Sequence, residues 1–190
     1  MEKQIRIGIF GGAFLWPKET EQLAVIIGET IAKNKCILVN GATTGLPYIA
    51  GKAALEKGGF VLGVSPARNE EEHITKYGKP IDGCSVIMWT GGGYTGRNYL
   101  NIRNCDVAIF IGGETGTLEE FCVANYESKV IGVLEGTGGI TDEIQNIMKV
   151  CPTDHGAIIT YDNDPIRLIK KVISNAKETK ISTEKYDTLG

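Results

Sequence analysis

The segment from residue 111 to residue 120 has the composition of a phosphate-binding turn. It reads Ile-Gly-Gly-Glu-Thr-Gly-Thr-Leu-Glu-Glu, follows the apolar run Val107–Ile111 and leads into an amphipathic run from Leu118. This pattern predicts a strand, a glycine-rich turn and a helix. Glycines let the backbone approach a ligand closely, and the free N–H groups at a helix start favour negative charge. The expected contacts with a phosphate or nucleotide are Gly113, Thr115, Gly116 and Thr117.

Three more glycine-rich segments follow apolar runs, at residues 11–12, 41–45 and 91–96. The carboxyl ends of parallel strands lie at one edge of a sheet, where ligands bind, so we expect these loops to lie side by side. Segment 41–45 also carries two threonines, whereas a tight strand–helix turn alone would explain segment 11–12. No GxGxxG fingerprint of a classical dinucleotide site is present. The expected ligand contacts from these loops are Gly11, Gly12, Gly41, Thr43, Thr44 and Gly45.

Arg97 and Glu120 are the candidate catalytic residues. Arg97 follows the glycine run 91–96 at the end of a predicted strand, which favours a ligand role over that of a surface residue paired with an acid. Glu120 has a structural alternative, because Thr117 and Glu120 have the spacing of a capping box. The apolar periodicity of this helix places neither Glu119 nor Glu120 on its buried face. From the residues alone, a ligand role and a capping role for Glu120 both stay open.

Strands and helices alternate along nearly the whole chain. The strands read as apolar runs, which is typical of a parallel sheet covered by helices on both faces. The fold class is therefore α/β, a Rossmann-like three-layer sandwich with a mostly parallel sheet of about seven strands. We expect a single domain over residues 1–178 and a polar C-terminal tail over residues 179–190. Predicted strands cover residues 5–10, 36–39, 60–64, 85–90, 106–111, 129–134 and 157–160. Predicted helices cover residues 18–34, a stretch ending near 57, 97–104, a stretch ending at 127, 140–148 and 165–176, while 67–83 is predicted as a loop with a helical turn at 70–74.

Composition and charge narrow the classes of partner. The net charge of −3 gives no general attraction to nucleic acid or to an anionic membrane, and no apolar run is long enough to span a bilayer. The chain opens without the pattern of a signal peptide, and its five scattered cysteines indicate free thiols in a reducing cytoplasm. Two distant histidines indicate no metal site. We therefore expect a cytoplasmic protein that binds a small molecule, needs no metal or other cofactor, and has neither nucleic acid nor membrane as a partner.

The motifs resemble those of the Lonely Guy (LOG) family, often labelled lysine decarboxylases. The hallmark of that family is PGGxGTxxE after a strand, with a catalytic arginine upstream. Four of its positions are matched here, as is the arginine, and the resemblance covers about residues 5–176. The matching residues are Arg97, Gly113, Gly116, Thr117 and Glu120. An asparagine after the arginine, Asn98, resembles the uncharacterised branch of the family that is similar to molybdenum cofactor carrier proteins.

The resemblance implies a homodimer or higher oligomer that hydrolyses the N-glycosidic bond of nucleoside 5′-monophosphates. Residues 113–117 would hold the 5′-phosphate, while Arg97 and Glu120 would act at the ribose. Cleavage builds positive charge on the ribose ring and negative charge on the leaving base, which a carboxylate and a cation stabilise respectively. The alternative is a non-catalytic carrier or sensor of a nucleotide or of a molybdenum cofactor-like pterin. Lysine decarboxylation has no support, because nothing singles out a lysine for pyridoxal phosphate.

Four positions depart from the family pattern. The family proline is Gly112 here, the second family glycine is Glu114, Ala42 replaces a glycine of the second loop, and Asn98 replaces a basic residue. A carboxylate inside a phosphate cradle would lower the affinity for phosphate unless it points away. The β-carbon at Ala42 would restrict close approach of a phosphate in the same manner. These departures weaken the transfer of the hydrolase activity more than the transfer of the fold.

Overall fold

The computed structural model describes residues 3–152 and 155–187 and shows the predicted alternation of strands and helices. The strands are β1 (Arg6–Gly11), β2 (Ile37–Asn40), β3 (Phe60–Ser65), β4 (Val86–Trp89), β5 (Val107–Ile111), β6 (Val130–Leu134) and β7 (Ile158–Asp162). The helices are α1 (Lys18–Lys33), α2 (Leu46–Glu56), α3 (Glu70–Thr75), α4 (Gly93–Arg103), α5 (Thr115–Tyr126), α6 (Ile144–Val150) and α7 (Pro165–Asp187), with a 3-10 turn at Gly139–Asp142.

The described strands form one parallel sheet in the order β4-β3-β2-β1-β5-β6-β7. The predicted fold class is thereby confirmed. The chain builds outward from β1 through β2 and β3 to β4, then returns to the other side of β1 with β5. The connections after β1 and β5 therefore diverge, and they leave a crevice at the carboxyl edge where α/β sheets bind ligands.

Alternating strand residues supply two hydrophobic cores, one on each face of the sheet. Ile7 and Ile9 of β1 belong to the core beneath α1, α2 and α7, while Phe10 belongs to the core beneath α4, α5 and α6. In β5, Ile109 likewise belongs to the core beneath α1, α2 and α7, and Phe110 belongs to the core on the other face. Because β1 and β5 are covered on both faces, their carboxyl ends are held rigidly at the centre of the sheet.

Helix α4 begins earlier than predicted, at Gly93 rather than at residue 97. Glycine is a poor helix former, so the run 91–96 predicted a break. Burial of Ile102 in the hydrophobic core stabilises the helix in spite of its glycine-rich first turn. As a result Arg97 lies inside the helix and not at its start.

Two further segments differ from prediction. The helix predicted at 140–148 is divided into the 3-10 turn and α6. Helix α7 continues to Asp187, past the predicted end near residue 176, because no glycine or proline interrupts the chain between Pro165 and Gly190. Residues 188–190 of the predicted tail lie outside the described residues. Within the described residues, no helix is long and apolar enough to cross a membrane.

Gly28→Ala tests the close packing of α1 on α2. A β-carbon at Gly28 would overlap the carbonyl oxygen of Ala50 in α2. Alanine favours a helix over glycine by about 1 kcal/mol, but overpacking against backbone costs about 1–3 kcal/mol. We expect the variant to lose about 1 kcal/mol in the free energy of unfolding, measured with urea.

The matched control is Gly96→Ala in α4, where a β-carbon would meet no atom within 4 Å. This variant should be neutral or gain up to about 1 kcal/mol from helix propensity. Equal stabilisation by both substitutions would contradict the close approach of α1 and α2.

Candidate functional site

A cavity of about 320 Å³ opens at the carboxyl edge of the sheet, beside the crevice between β1 and β5. It brings together the loops after β1 and β2, the start of α5, one face of α4 and a residue from the connection between β3 and β4. Its lining residues are Ile9, Phe10, Gly11, Ala13, Phe14, Gly41, Thr43, Pro47, Lys79, Tyr94, Arg97, Asn98, Gly116, Thr117 and Glu120.

Arg97 and Glu120 form a buried ion pair in the wall of this cavity. Nη1 of Arg97 lies 3.4 Å from Oε1 of Glu120, and each residue is only 7% exposed. The guanidinium carbon also lies 5.9 Å from the ring centroid of Tyr94, within the range of a cation–π contact. Nε of Arg97 is buried without a hydrogen-bond partner among the described residues. The two candidate catalytic residues are thus neighbours, as a shared role at one ligand requires.

The capping interpretation of Glu120 is wrong. Helix α5 begins at Thr115 with Glu114 as its N-cap, so Glu120 lies in the second turn, where it cannot cap the helix start. The expectation that Glu120 lies off the buried face is also wrong. Thr117, Glu120 and Phe121 are all buried, with Ala124 completing the i, i+3, i+4, i+7 pattern. The i, i+3, i+4, i+7 spacing would have placed Glu120 on the buried face if polar residues had been counted as possible members of that face.

Burial sets the protonation behaviour of this pair. Loss of hydration raises the pKa of Glu120 to about 7, although the positive charge of Arg97 opposes the shift. Loss of hydration likewise lowers the pKa of Arg97, against the attraction of Glu120. A carboxyl group that titrates near neutrality can both donate and accept a proton there, which is a property of catalytic acids and bases.

Gly41 provides the space for Arg97. A β-carbon at Gly41 would overlap the guanidinium group. The absence of a side chain at Gly41 therefore positions Arg97 against Glu120, in addition to exposing backbone to the cavity. Ala42 is buried, does not line the cavity and donates its N–H to Oδ1 of Asn40 at 2.9 Å. Its β-carbon therefore does not restrict a ligand as the sequence suggested.

The remaining residues of the loop after β2 are hydrogen-bonded to the loop after β1. Thr44 donates its hydroxyl to the carbonyl oxygen of Ala13 at 2.7 Å, and the N–H of Leu46 donates to the carbonyl of Gly12 at 2.9 Å. Gly45 has φ +71, and a β-carbon there would overlap that same Gly12 carbonyl. Gly12, Thr44 and Gly45 thus join the two loops and do not line the main cavity.

Only some of the predicted contacts in the turn after β5 line the cavity. Gly113, with φ +94, is buried, and a β-carbon there would overlap Thr117. Thr115 is exposed, and neither Gly113 nor Thr115 lines the cavity. Gly116 and Thr117 do line it, and a β-carbon at Gly116 would meet no atom within 4 Å. The start of α5 therefore presents open space and backbone to the cavity at Gly116.

The two departures from the family pattern in this turn are accommodated. Gly112 has φ +57, which proline cannot adopt, and its N–H donates to Oγ1 of Thr137 at 2.9 Å. Glu114 is exposed and lies outside the main cavity, in the wall of an adjoining pocket of about 150 Å³ that Gly12 also lines. Gly116 and Thr117 line both this pocket and the main cavity, so Glu114 lies close to the start of α5 although it does not line the main cavity.

A sequence model of the SLOG cluster4 family matches residues 4–169. The chain belongs to the SLOG cluster4 family. An uncharacterised relative in Archaeoglobus fulgidus is 29% identical over 133 residues, which are 70% of this chain and 82% of that protein. The resemblance seen in the motifs, to LOG-like proteins with a branch similar to molybdenum cofactor carriers, is confirmed.

Solved structures share the fold of this SLOG cluster4 protein. The X-ray structure of TM1055 has a TM-score of 0.77 at 24% identity, covering 90% of this chain and 99% of that chain. The molybdenum cofactor carrier protein of Chlamydomonas reinhardtii has a TM-score of 0.70 at 24% identity, with the same coverage. DNA processing protein A of Helicobacter pylori, described by its single-stranded DNA binding, has a TM-score of 0.64 at 18% identity and covers 90% of this chain and 81% of its own. The expected absence of a nucleic-acid partner is therefore not confirmed by the fold.

Several lining residues were not predicted as contacts, among them Lys79, Asn98 and Phe14. Lys79 comes from the segment predicted as a loop, and no motif singles it out. Asn98 follows Arg97 and donates its amide to Oε2 of Glu119 at 3.1 Å. Phe14 is 73% exposed at the mouth of the cavity. Within the described residues, no three side chains of histidine, cysteine, aspartate or glutamate are grouped to hold a metal ion.

Glu120→Gln should change the pH dependence of stability in this SLOG cluster4 protein. The folded-state pKa of about 7 exceeds the ordinary 4.5, so the folded chain keeps a proton that the unfolded chain releases. The contribution of Glu120 to the free energy of unfolding is full below pH 4.5 and is lost as the pH rises through 7, by about 3 kcal/mol. Glutamine does not titrate, so the variant does not lose this stability as the pH rises. Its free energy of unfolding relative to that of the natural protein should therefore rise over the same window, as measured by urea unfolding.

The prediction is tested by how the difference in free energy of unfolding between the variant and the natural protein changes with pH. Glutamine resembles the protonated carboxyl group, so any difference in stability that comes from the amide itself is an offset that does not change with pH. A stability difference that stays constant from pH 4.5 to pH 7 would show that the pKa of Glu120 is not raised.

Proposed function

We propose that the chain binds a phosphorylated, nucleoside- or pterin-like ligand in the main cavity. The observation that carries the proposal is the buried Arg97–Glu120 pair, which lines the same cavity as the open first turn of α5 at Gly116. The first N–H groups of a helix have no partner within the helix, and the side chain of Glu114 makes no capping hydrogen bond to them. A phosphate at this helix start would be bound by those groups and by the helix dipole.

The aromatic part of the cavity lining suits the remainder of such a ligand. Phe14 and Tyr94 are partly exposed aromatic residues of the cavity lining, and their ring faces can stack on a base or a pterin. Tyr94 is in turn supported by an edge-on contact with Tyr77, whose ring centroid lies 5.4 Å away. With a volume of about 320 Å³, the cavity lies in the range of small-ligand sites.

The chemistry that this arrangement supports is hydrolysis of the N-glycosidic bond of a nucleoside 5′-monophosphate. The oxygen of water bonds to the anomeric carbon as the carbon–nitrogen bond breaks, and the proton that water loses passes by way of Glu120 to the departing base. Glu120 as carboxylate stabilises positive charge on the ribose ring and accepts a proton from the attacking water. Arg97 stabilises negative charge on the departing base. The products are the free base and ribose 5-phosphate.

A second candidate function is a non-catalytic carrier or sensor of a nucleotide or of a molybdenum cofactor-like pterin. Arg97 and Glu120 already neutralise each other, so neither charge is fully available for a reacting group. The carrier protein of Chlamydomonas reinhardtii shares the fold. In this alternative the pair shapes the cavity wall, and the ligand leaves unchanged.

The protein is further proposed to act as a homo-oligomer in the cytoplasm. Exposed apolar surface on α4 and α5, at Tyr99, Leu100 and Tyr126, supports the first part. The thiols of Cys84, Cys105, Cys122 and Cys151 form no disulfide, which is consistent with a reducing compartment.

Gly116→Leu should block the ligand without unfolding the protein. The substituted side chain projects where a β-carbon meets no atom within 4 Å, so it fills the cavity and leaves the core intact. Calorimetry with AMP, GMP, IMP, CMP, UMP and a phosphorylated pterin should detect binding of at least one, weakened at least about tenfold in the variant, equivalent to 1.4 kcal/mol.

Gly96→Leu is the matched control, because Gly96 has equal open space and does not line the cavity. It should bind the same ligand as the natural protein does. Binding that survives in Gly116→Leu would place the ligand elsewhere, and no binding of any of these ligands would overturn the proposed function.

Arg97→Ala and Glu120→Gln distinguish hydrolysis from carriage. Incubation with nucleoside monophosphates, isopentenyl-AMP included, should release free base, detected by chromatography, and each variant should abolish the release. The controls are Arg103→Ala on the exposed face of α4 and Glu119→Gln on α5, which remove the same charges outside the cavity and should retain activity. Tight binding of a nucleotide without any base release would favour the carrier function.

A further inference from the structure

The connection between β3 and β4 extends to the cavity from the side opposite α5. It contains α3 and then a stretch without regular structure that ends at β4. Lys79 of this stretch lines the cavity together with Gly41 and Thr43 of the loop after β2. The cavity thus has two polar ends, one at the start of α5 and one at Lys79.

The position of Lys79 is fixed by a buried histidine. His73 is fully buried, and the N–H of Lys79 donates to its carbonyl oxygen at 3.2 Å. Nε2 of the ring lies 3.2 Å from the carbonyl oxygen of Pro80, which only accepts, so Nε2 carries the proton. Nδ1 then accepts from the hydroxyl of Ser65 at 2.9 Å, and that oxygen accepts the N–H of Ala67 at 3.0 Å. This chain of hydrogen bonds holds the Lys79 backbone in place.

The ammonium group of Lys79 has no counter-charge. Nζ donates to Oγ1 of Thr44 at 3.2 Å, and no carboxylate of the described residues lies within ion-pair distance. The side chain is half-buried, and both its burial and the charge of Arg97 lower the pKa of Lys79. Arg97, by contrast, has Glu120 as its partner. Lys79 therefore contributes a fixed positive charge to the cavity that a neighbouring anion would stabilise.

The strands that lead to the two polar ends are two strand spacings apart. The loop after β2 and the start of α5 follow strands on either side of β1. Adjacent strands lie about 4.8 Å apart, so these strand ends are on the order of 10 Å apart. This separation favours two anionic groups over a single phosphate that contacts both ends.

We infer that Lys79, with Thr43, forms a second anion-binding subsite, so that the ligand carries a second anionic group besides the phosphate at α5. The chemical class is a nucleotide with a second phosphate. This inference rests on the proposed function, because it describes the other end of the same ligand. Lys79 would then determine specificity for doubly charged ligands over nucleoside monophosphates.

The test compares adenosine 3′,5′-bisphosphate, ADP and AMP by calorimetry on the natural protein and on Lys79→Met. Adenosine 3′,5′-bisphosphate, whose two phosphates lie on opposite sides of the sugar, should bind more tightly than AMP. Lys79→Met should remove that advantage, a loss of roughly tenfold to a hundredfold for a charge-assisted hydrogen bond, and should weaken AMP binding by a smaller factor. Lys79→Arg should retain most of the advantage. A gain confined to ADP, whose two phosphates are adjacent, would contradict two separate subsites.

Lys170→Met on α7 is the matched control, because it removes the same charge from an exposed lysine that does not line the cavity. It should leave all three affinities unchanged. AMP binding without any preference for a second phosphate would overturn the second subsite and leave the proposed function standing. An equal loss for all three ligands in Lys79→Met would also overturn it, by placing Lys79 at the only phosphate. Absence of binding by all three nucleotides and by the mononucleotide panel would overturn both.

Discussion

The buried contact between Arg97 and Glu120 is the constraint on which the candidate site depends. Removing either charge from water is costly, and a buried ion pair is tolerated only when its partners are held in good geometry. Here that geometry comes from two helices and a loop: α4 carries Arg97, α5 carries Glu120, and Gly41 leaves room for the guanidinium group. The N-terminal halves of α4 and α5 are therefore fixed relative to the loop after β2. The cavity lies among these three elements.

The same pair limits the chemistry of the cavity. Arg97 and Glu120 largely cancel each other, so the site has less free charge than the motif suggests. A bound anion would compete with Glu120 for Arg97, and protonation of Glu120 would release Arg97 to that anion. Since the pKa of Glu120 is about 7, this exchange lies within reach at neutral pH. A hydrolase would use it to activate water, and a carrier would use it to adjust affinity.

The fold could be predicted from the sequence more fully than the site. Apolar runs flanked by glycines located every strand of the sheet within two residues, because burial on both faces leaves no other pattern. The motif also selected Arg97 and Glu120, which the structure brings together. The sequence did not predict the burial of Glu120, because a carboxylate is expected on an exposed face unless a charged partner is known to be buried beside it. Lys79 was missed because it reaches the cavity through the fold of a polar connection, which no local pattern encodes.

Glycine-rich segments predicted cavity-lining residues at some positions and not at others, and the reason is physical. Glycine is required wherever another atom occupies the place of a side chain, and that atom need not belong to a ligand. At Gly12 the occupant is Trp16, and at Gly41 it is the guanidinium of Arg97. Gly116 differs, because nothing of the described chain occupies the space in front of it. Gly93 and Gly96 are equally open but do not line the main cavity, so the position that indicates a ligand is one that is both open and in the cavity wall. Among the glycines of the cavity lining, that position is Gly116 at the start of α5.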